Sequence, residues 1–417
     1  MEQTNKQGIN LDKKTKALFT VKILPVFMGL SNDLLFYIAI NTLFLTTVKG
    51  LTASNVTFLT TISGLVYILL QRPFLKIIKK VGNVQAVRMG TIMLLVASII
   101  LTFAKSYYII MLGEIIYIIS YLFKSMDNVI LKNNLGYLNK KGKYIKYKNI
   151  SNIIFSINTT IVTLIAGYLF KINPYIPMYL CIGLTFINVL ISLALHEEKP
   201  QVEEISEEEI QERKIKFRKA ILLILIAYGV FYATISTGKI NVKLFVEHEF
   251  EHYFGLGQTA IYFSYVLVMT QIARVIANIS FYKLYNRVKD KILYYMPLVC
   301  LIAFLLVILG GLIPLVNTKA ILMTLGLCLI FGIKDIFSTY IHDLVLKKAR
   351  PNERQGCISY LGLFKKIGEI GISLIISLLL LKIDLMYIIF VSLVLAFISY
   401  IINFDIYILI IREEEKK

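Results

Sequence analysis

The sequence has no tryptophan, only four cysteines and four histidines, and 26 acidic residues against 45 basic ones. Each shortage removes a class of function. Cys181, Cys300, Cys328 and Cys357 are far apart and lie in or beside apolar stretches, so they make neither a ligand-spaced metal cluster nor a disulfide framework. His248 and His252 have the i, i+4 spacing of two helical metal ligands, but no third ligand follows them. They are expected to belong to an acidic rim outside the membrane, with no metal bound. There is no glycine-rich phosphate cradle of the P-loop kind, which removes the nucleotide-driven pumps and leaves no cofactor to expect.

What is abundant is apolar. Hydrophobic residues make up 57% of the 417 and charged ones only 17%, with a mean hydropathy of +0.72. That balance fits a polytopic helical membrane protein and not a soluble one. A spanning helix needs about 20 predominantly apolar residues, and twelve segments meet this. They are residues 17–46, 56–78, 84–104, 107–131, 150–170 and 175–195, then 220–245, 259–284, 292–316, 320–346, 357–381 and 385–411. With tryptophan absent, tyrosine is expected to supply the interfacial belts. The polar start of the chain runs into the first segment without a small-residue cleavage pattern, so that segment is expected to be retained.

The net charge of +19 is not spread evenly. Lys6, Lys13, Lys14 and Lys16 precede the first segment; the next polar interval has only Lys49. Arg72, Lys76, Lys79, Lys80 and Arg88 crowd the following one, after which Lys105 stands alone. Lys132, Lys140, Lys141, Lys143, Lys146 and Lys148 come next, and then only Lys171. Short loops rich in Lys and Arg stay cytoplasmic, so both termini are expected inside, in the cytoplasmic membrane. The basic excess then faces anionic lipid, and nucleic acid is not expected as a partner.

One long polar stretch, residues 197–219, divides the chain into six segments on each side. It is acidic from Glu203 to Glu212 and basic from Arg213 to Lys219, a pattern that suits an exposed helical linker. The expected organisation is a first bundle over 1–196, this linker, and a second bundle over 220–417. The halves echo each other. A short basic loop at 75–82 has its counterpart at 282–289, and the run Asp127 to Lys132 recurs as Asp343 to Lys348. Echoes at matching places point to a duplicated six-helix unit.

Twelve helices, a central linker and basic loops after segments two and eight resemble the major facilitator superfamily over essentially the whole chain. In the family's loop signature, Gly82 and Lys80 match, whereas Lys79 stands where an acid is expected and Leu75 where the first glycine is; in the second copy Arg287 fits and Asn286 takes the acid's place. The resemblance implies two six-helix bundles that open a midplane substrate site alternately to each side. Segment four carries Glu114 in place of the buried arginine typical of the family's drug and proton antiporters, and segment five has Gly167 but no proline. Gly113 and Glu114, with Lys124, Ser125 and Asp127 after them, are more similar to a bacterial branch of permeases.

A charge at the bilayer centre costs several kcal/mol, so intramembrane charges mark a cavity, a partner or a mechanism. Asp33 lies midway along segment one, and Glu114 lies roughly 10 Å in from Tyr107. Both are candidates to carry a proton or bind a cation. Lys239, Arg274, Lys334, Asp335, Lys365, Lys366 and Glu369 are the candidates in the second half, as counter-charges or as ligands for an anionic substrate. Glu369 can also pair with Lys365 or Lys366 along its own helix, and Lys334 and Asp335, being adjacent, point about 100° apart. Lys80, Lys124, Asp127, Arg287 and Asp343 sit near the cytoplasmic ends and are candidates for a gate.

The expected function is that of a secondary transporter, acting as a monomer, which moves a small organic solute with proton coupling and outward. Uptake or exchange of an anionic solute is the alternative. His342 beside Asp343 is the only pair suggestive of a membrane-embedded acyltransferase, and an enzyme is not expected.

Overall fold

The computed structural model describes residues 2–51, 53–198, 207–254, 256–380 and 383–415. It is almost wholly helical. Among the described residues, ten helices are long and apolar enough to cross a membrane.

The first expected segment is not one helix. It is α1 (Glu2–Ser31) followed by α2 (Leu35–Leu43), with Asn32, Asp33 and Leu34 outside both. Short polar side chains compete with the helix for its backbone groups, and here Asp33 Oδ1 accepts the amide of Leu34 at 2.9 Å. The fourth segment is divided in the same way, into α5 (Tyr107–Lys124) and α6 (Asp127–Tyr137) around a turn at Ser125 and Met126. Both breaks coincide with charges that the sequence marks out, Asp33 in one case and Lys124 with Asp127 in the other.

The other helices follow the apolar segments and overrun their ends. They are α3 (Ala53–Val81), α4 (Asn83–Phe103), α7 (Tyr144–Ile172), α8 (Ile176–Leu193), α9 (Glu207–Phe254), α10 (Leu256–Val288), α11 (Ile292–Leu312), α12 (Val316–Lys348), α13 (Arg354–Leu380) and α14 (Leu385–Glu415). At 33 residues α12 is about 50 Å long, more than the roughly 30 Å of a hydrocarbon core. Of the polar linker, residues 207–219 are the first turns of α9, while 199–206 lie outside the described residues.

Packing divides the chain into two units. One holds residues 1–207 together with 342–363; the other holds 208–341 and 364–417. In the first unit α4 packs on α5 and α8, α1 on α7, and α3 on α5, around a core that includes Leu34, Tyr37, Phe44, Leu94, Leu101, Ile110, Phe155 and Met178. Two long cations close helix ends here. Lys49 Nζ donates to the carbonyls of Thr102 and Ala104 at 2.7 and 2.8 Å, and Arg88 donates to those of Ser192, Leu193 and Leu195. These donors satisfy the last carbonyls of α4 and α8, which have no partner within their own helices.

In the second unit α11 packs on α14, and α9 crosses α13 at a pair of glycines. A Cβ placed on Gly368 would meet the carbonyl oxygen of Gly229 at 2.6 Å, and one on Gly229 would meet that of Phe364 at 2.8 Å. The backbones touch, so only hydrogen fits between them; small residues serve this purpose where lipid removes the hydrophobic drive for helix association. Large apolar side chains cover the outside instead, Leu69, Tyr168 and Leu378 among them. Replacing Gly368 with Leu is expected to cost about 1–3 kcal/mol through overpacking, read as a lower unfolding midpoint of the purified protein.

Candidate functional site

The charges inside the helices form a different kind of cluster in each unit. In the first unit the cluster is built on one face of α5, where Glu114, Tyr117, Tyr121 and Lys124 follow at helical spacing. The Asp33 carboxylate, set free of helical geometry by the break after α1, accepts from the hydroxyls of Tyr117 and, at 2.6 Å, Tyr121. Those two hydroxyls are 2.9 Å apart. Glu114 accepts from the hydroxyl of Tyr37 on α2, whose ring stands edge-on to Tyr117 at 6.2 Å. Among the described residues neither carboxylate forms an ion pair. Phenol hydroxyls solvate a carboxylate without neutralising it, and each acid is half-buried, held by hydrogen bonds and not by an ion pair. Lys124 ends this face, fully enclosed, its ammonium 5.4 Å from the Tyr121 ring centre and without a hydrogen-bond acceptor among the described residues.

The second unit holds mostly cations. Arg274 on α10 makes a two-pronged contact with Asp335 on α12, at 2.6 and 3.1 Å, and Asn278 adds a third donor at 3.3 Å. Lys366 pairs with Glu369 at 2.9 Å within α13, and Ser236 of α9 donates to the same carboxylate at 2.6 Å. This uses up both acids. Lys334, one residue from Asp335, points to α9 instead, where its ammonium is 5.0 Å from the centre of the Tyr232 ring. Lys365 lies 4.2 Å from that same ring. About two and three turns further along α9, Lys239 and Lys243 share the Phe331 ring at 4.6 and 5.3 Å. Cation–π contacts of this kind contribute about 0.5–2 kcal/mol each. Two like charges 8 Å apart repel by about 2 kcal/mol at an effective dielectric constant of 20, so the rings hold these lysines without balancing them.

A profile of the Major Facilitator Superfamily matches residues 23–376. The chain belongs to that superfamily. A search of curated proteins by sequence gives no match. Solved structures with the same fold include FucP, a fucose:proton symporter of E. coli, at 13% identity over 94% of this chain and 99% of that one with a TM-score of 0.68. The human organic anion transporter MFSD10 matches at 12% identity over 93% and 99%, with a TM-score of 0.68. A bacterial homologue of the iron transporter ferroportin matches at 15% identity over 94% and 99%, with a TM-score of 0.68. This superfamily member is therefore a multi-pass membrane protein with the transporter fold.

The remaining candidates lie near the basic loops. In the first unit Asp343 takes Lys132 on one oxygen and Lys347 on the other, both at 2.7 Å. Around it Arg354 donates to Asn133, Gln355 to Asn83 at 2.8 Å, and Asn83 and Asn133 both to Glu197 at 2.6 Å. Asp127 accepts from Asn128 at 2.6 Å. Lys80 and Arg287 stand exposed, outside these networks.

Sequence reasoning did not find Tyr37, Tyr117, Tyr121, Tyr232 or Lys243, nor the network of Asn83, Lys132, Asn133, Glu197 and Arg354. Tyr117 and Tyr121 share a helical face with Glu114, a stripe that was present to be read. Removing one partner of a buried ion pair leaves the other charge uncompensated, at about 3–5 kcal/mol. Asp335→Asn is therefore expected to lower thermal stability sharply, and adding Arg274→Gln to recover most of the loss, as read from unfolding midpoints of the single and double variants.

Proposed function

We propose that this chain is a proton-coupled secondary transporter that exports a small organic solute across the cytoplasmic membrane by alternating access. Asp33 and Glu114 take up and release the proton. The observation that carries this reading is the pair of carboxylates in the first unit, held by tyrosine hydroxyls and without a cationic partner among the described residues. A carboxylate already neutralised by an ion pair has little to gain from a proton, and among the described residues these two have no such pair. Asp33 adds a second property. It sits where the helix is interrupted, and interrupted helices are where transporters expose backbone and side-chain groups to substrate and coupling ion. Tyr117 and Tyr121, touching both Asp33 and each other, supply a route by which a proton leaves the carboxylate.

The test uses everted membrane vesicles whose interior is acidified, with a pooled panel of small solutes outside. Export in the cell appears as uptake into such vesicles. Asp33→Asn and Glu114→Gln remove the titrating group and keep the side chain's size, and each is expected to abolish gradient-driven uptake, a fall of at least about tenfold, equivalent to about 1.4 kcal/mol. Gradient-driven uptake that persists undiminished in both variants removes these acids from coupling.

A further inference from the structure

Lys239, Lys243, Lys334 and Lys365 all lie far from the ends of their helices, and none has a carboxylate within ion-pair distance among the described residues. Among the described residues, the acids near these lysines are Asp335 and Glu369, and Arg274 and Lys366 occupy them. Four ammonium groups are thus gathered two by two on two aromatic rings. Lys239, Lys243, Lys334 and Lys365 are half-buried, none of them fully packed away. Lipid headgroups do not reach the middle of a spanning helix. A protein that held such a cluster only for its fold would neutralise it, as it does at Arg274 and Lys366.

Resting on the transporter reading above, we propose that this cluster is the substrate's recognition site and that the substrate is an organic anion. Its carboxylate or phosphate lies between Lys334 and Lys365, with Lys239 and Lys243 beside them. The rest of the molecule is apolar. Tyr232 lines the position from α9, next to Tyr228, which is hydrogen-bonded to Ser338 at 3.0 Å and stacked on Phe337. The groups that hold the four lysines are aromatic rings, Tyr232 and Phe331, which suits an aromatic or aliphatic body and not a sugar.

The experiment measures the unfolding midpoint of the purified full-length protein against rising benzoate, phthalate and phenyl phosphate, with benzamide, phthalamide and benzylamine as neutral and cationic counterparts. Stabilisation by the anions alone is expected. Lys334→Gln and Lys365→Gln are each expected to weaken it by about tenfold, the loss of one charge-assisted contact. Lys365→Arg keeps the charge and is expected to retain most of the effect, which separates lost binding from damaged folding. Lys171→Gln, exposed in the last turn of α7, leaves it unchanged. Equal stabilisation by the neutral or cationic compounds overturns the proposal, as does no stabilisation by any of the anions, or anion stabilisation that survives Lys334→Gln and Lys365→Gln together. The same compounds in proteoliposomes separate the two readings. Gradient-driven movement of a neutral or cationic compound, unaffected by the lysine variants, overturns the anion site and leaves transport standing. Lysine-dependent anion binding with no movement of any compound overturns transport and leaves the site.

Discussion

A charge inside the hydrocarbon layer has to be met by something, because no water is there to meet it. The arrangement of polar groups in this chain follows from that constraint. Where a charge serves the fold it is met completely: Arg274 by Asp335 and Lys132 by Asp343. The orphan carbonyls at the ends of α4 and α8 are met by Lys49 and Arg88 in the same spirit. Charges that are met by weaker means, a phenol hydroxyl or the face of a ring, therefore stand apart. Those weaker partners stabilise a charge enough to keep it in place and too little to make a second partner unwelcome. That is the physical requirement for a residue that must bind a proton or a solute and then release it.

The two kinds of incomplete compensation are sorted by unit. Asp33 and Glu114 lie with Tyr37, Tyr117 and Tyr121 in one; the four lysines lie with Tyr232 and Phe331 in the other. Aromatic residues do different work in each case, donating hydroxyl hydrogens to carboxylates in the first and offering π faces to ammonium groups in the second. In the proposed cycle, such sorting separates the ion that drives transport from the solute that is moved by it.

Much of this was legible in the sequence, and unevenly. Twelve apolar segments located the helices because the bilayer imposes a length on each, and the intramembrane charges stood out because their cost makes them rare. What failed was continuity and partnership. Segments one and four were read as single helices, since apolar periodicity runs through Asn32–Asp33 and through Ser125–Met126 without interruption; hydropathy has no sensitivity to a competing hydrogen bond such as that from the Leu34 amide to Asp33. The polar network around Glu197 escaped notice for a related reason. Asn83 and Asn133 are ordinary residues one at a time, and their role exists only once residues 342–363 pack into the first unit. Glu369 presented two possible lysines by spacing, and only the orientation of α13 decides between them, giving it Lys366 and leaving Lys365 to Tyr232.

If the lysines hold the solute and the two carboxylates the proton, as proposed, the arrangement has an electrical consequence that bears on direction. In a cell whose interior is negative, an anion leaving and a proton arriving both move charge the favourable way, and each charge gains about 2.3 kcal/mol per 100 mV. Import of a singly charged anion with one proton carries no net charge and draws nothing from that potential. An anion site coupled to a single protonation is thus driven outward by both components of the gradient and inward by only one. In the proposed cycle the lysines attract the anion whichever way it moves, so the direction comes from the coupling, and the coupling comes from acids that have no ion pair among the described residues.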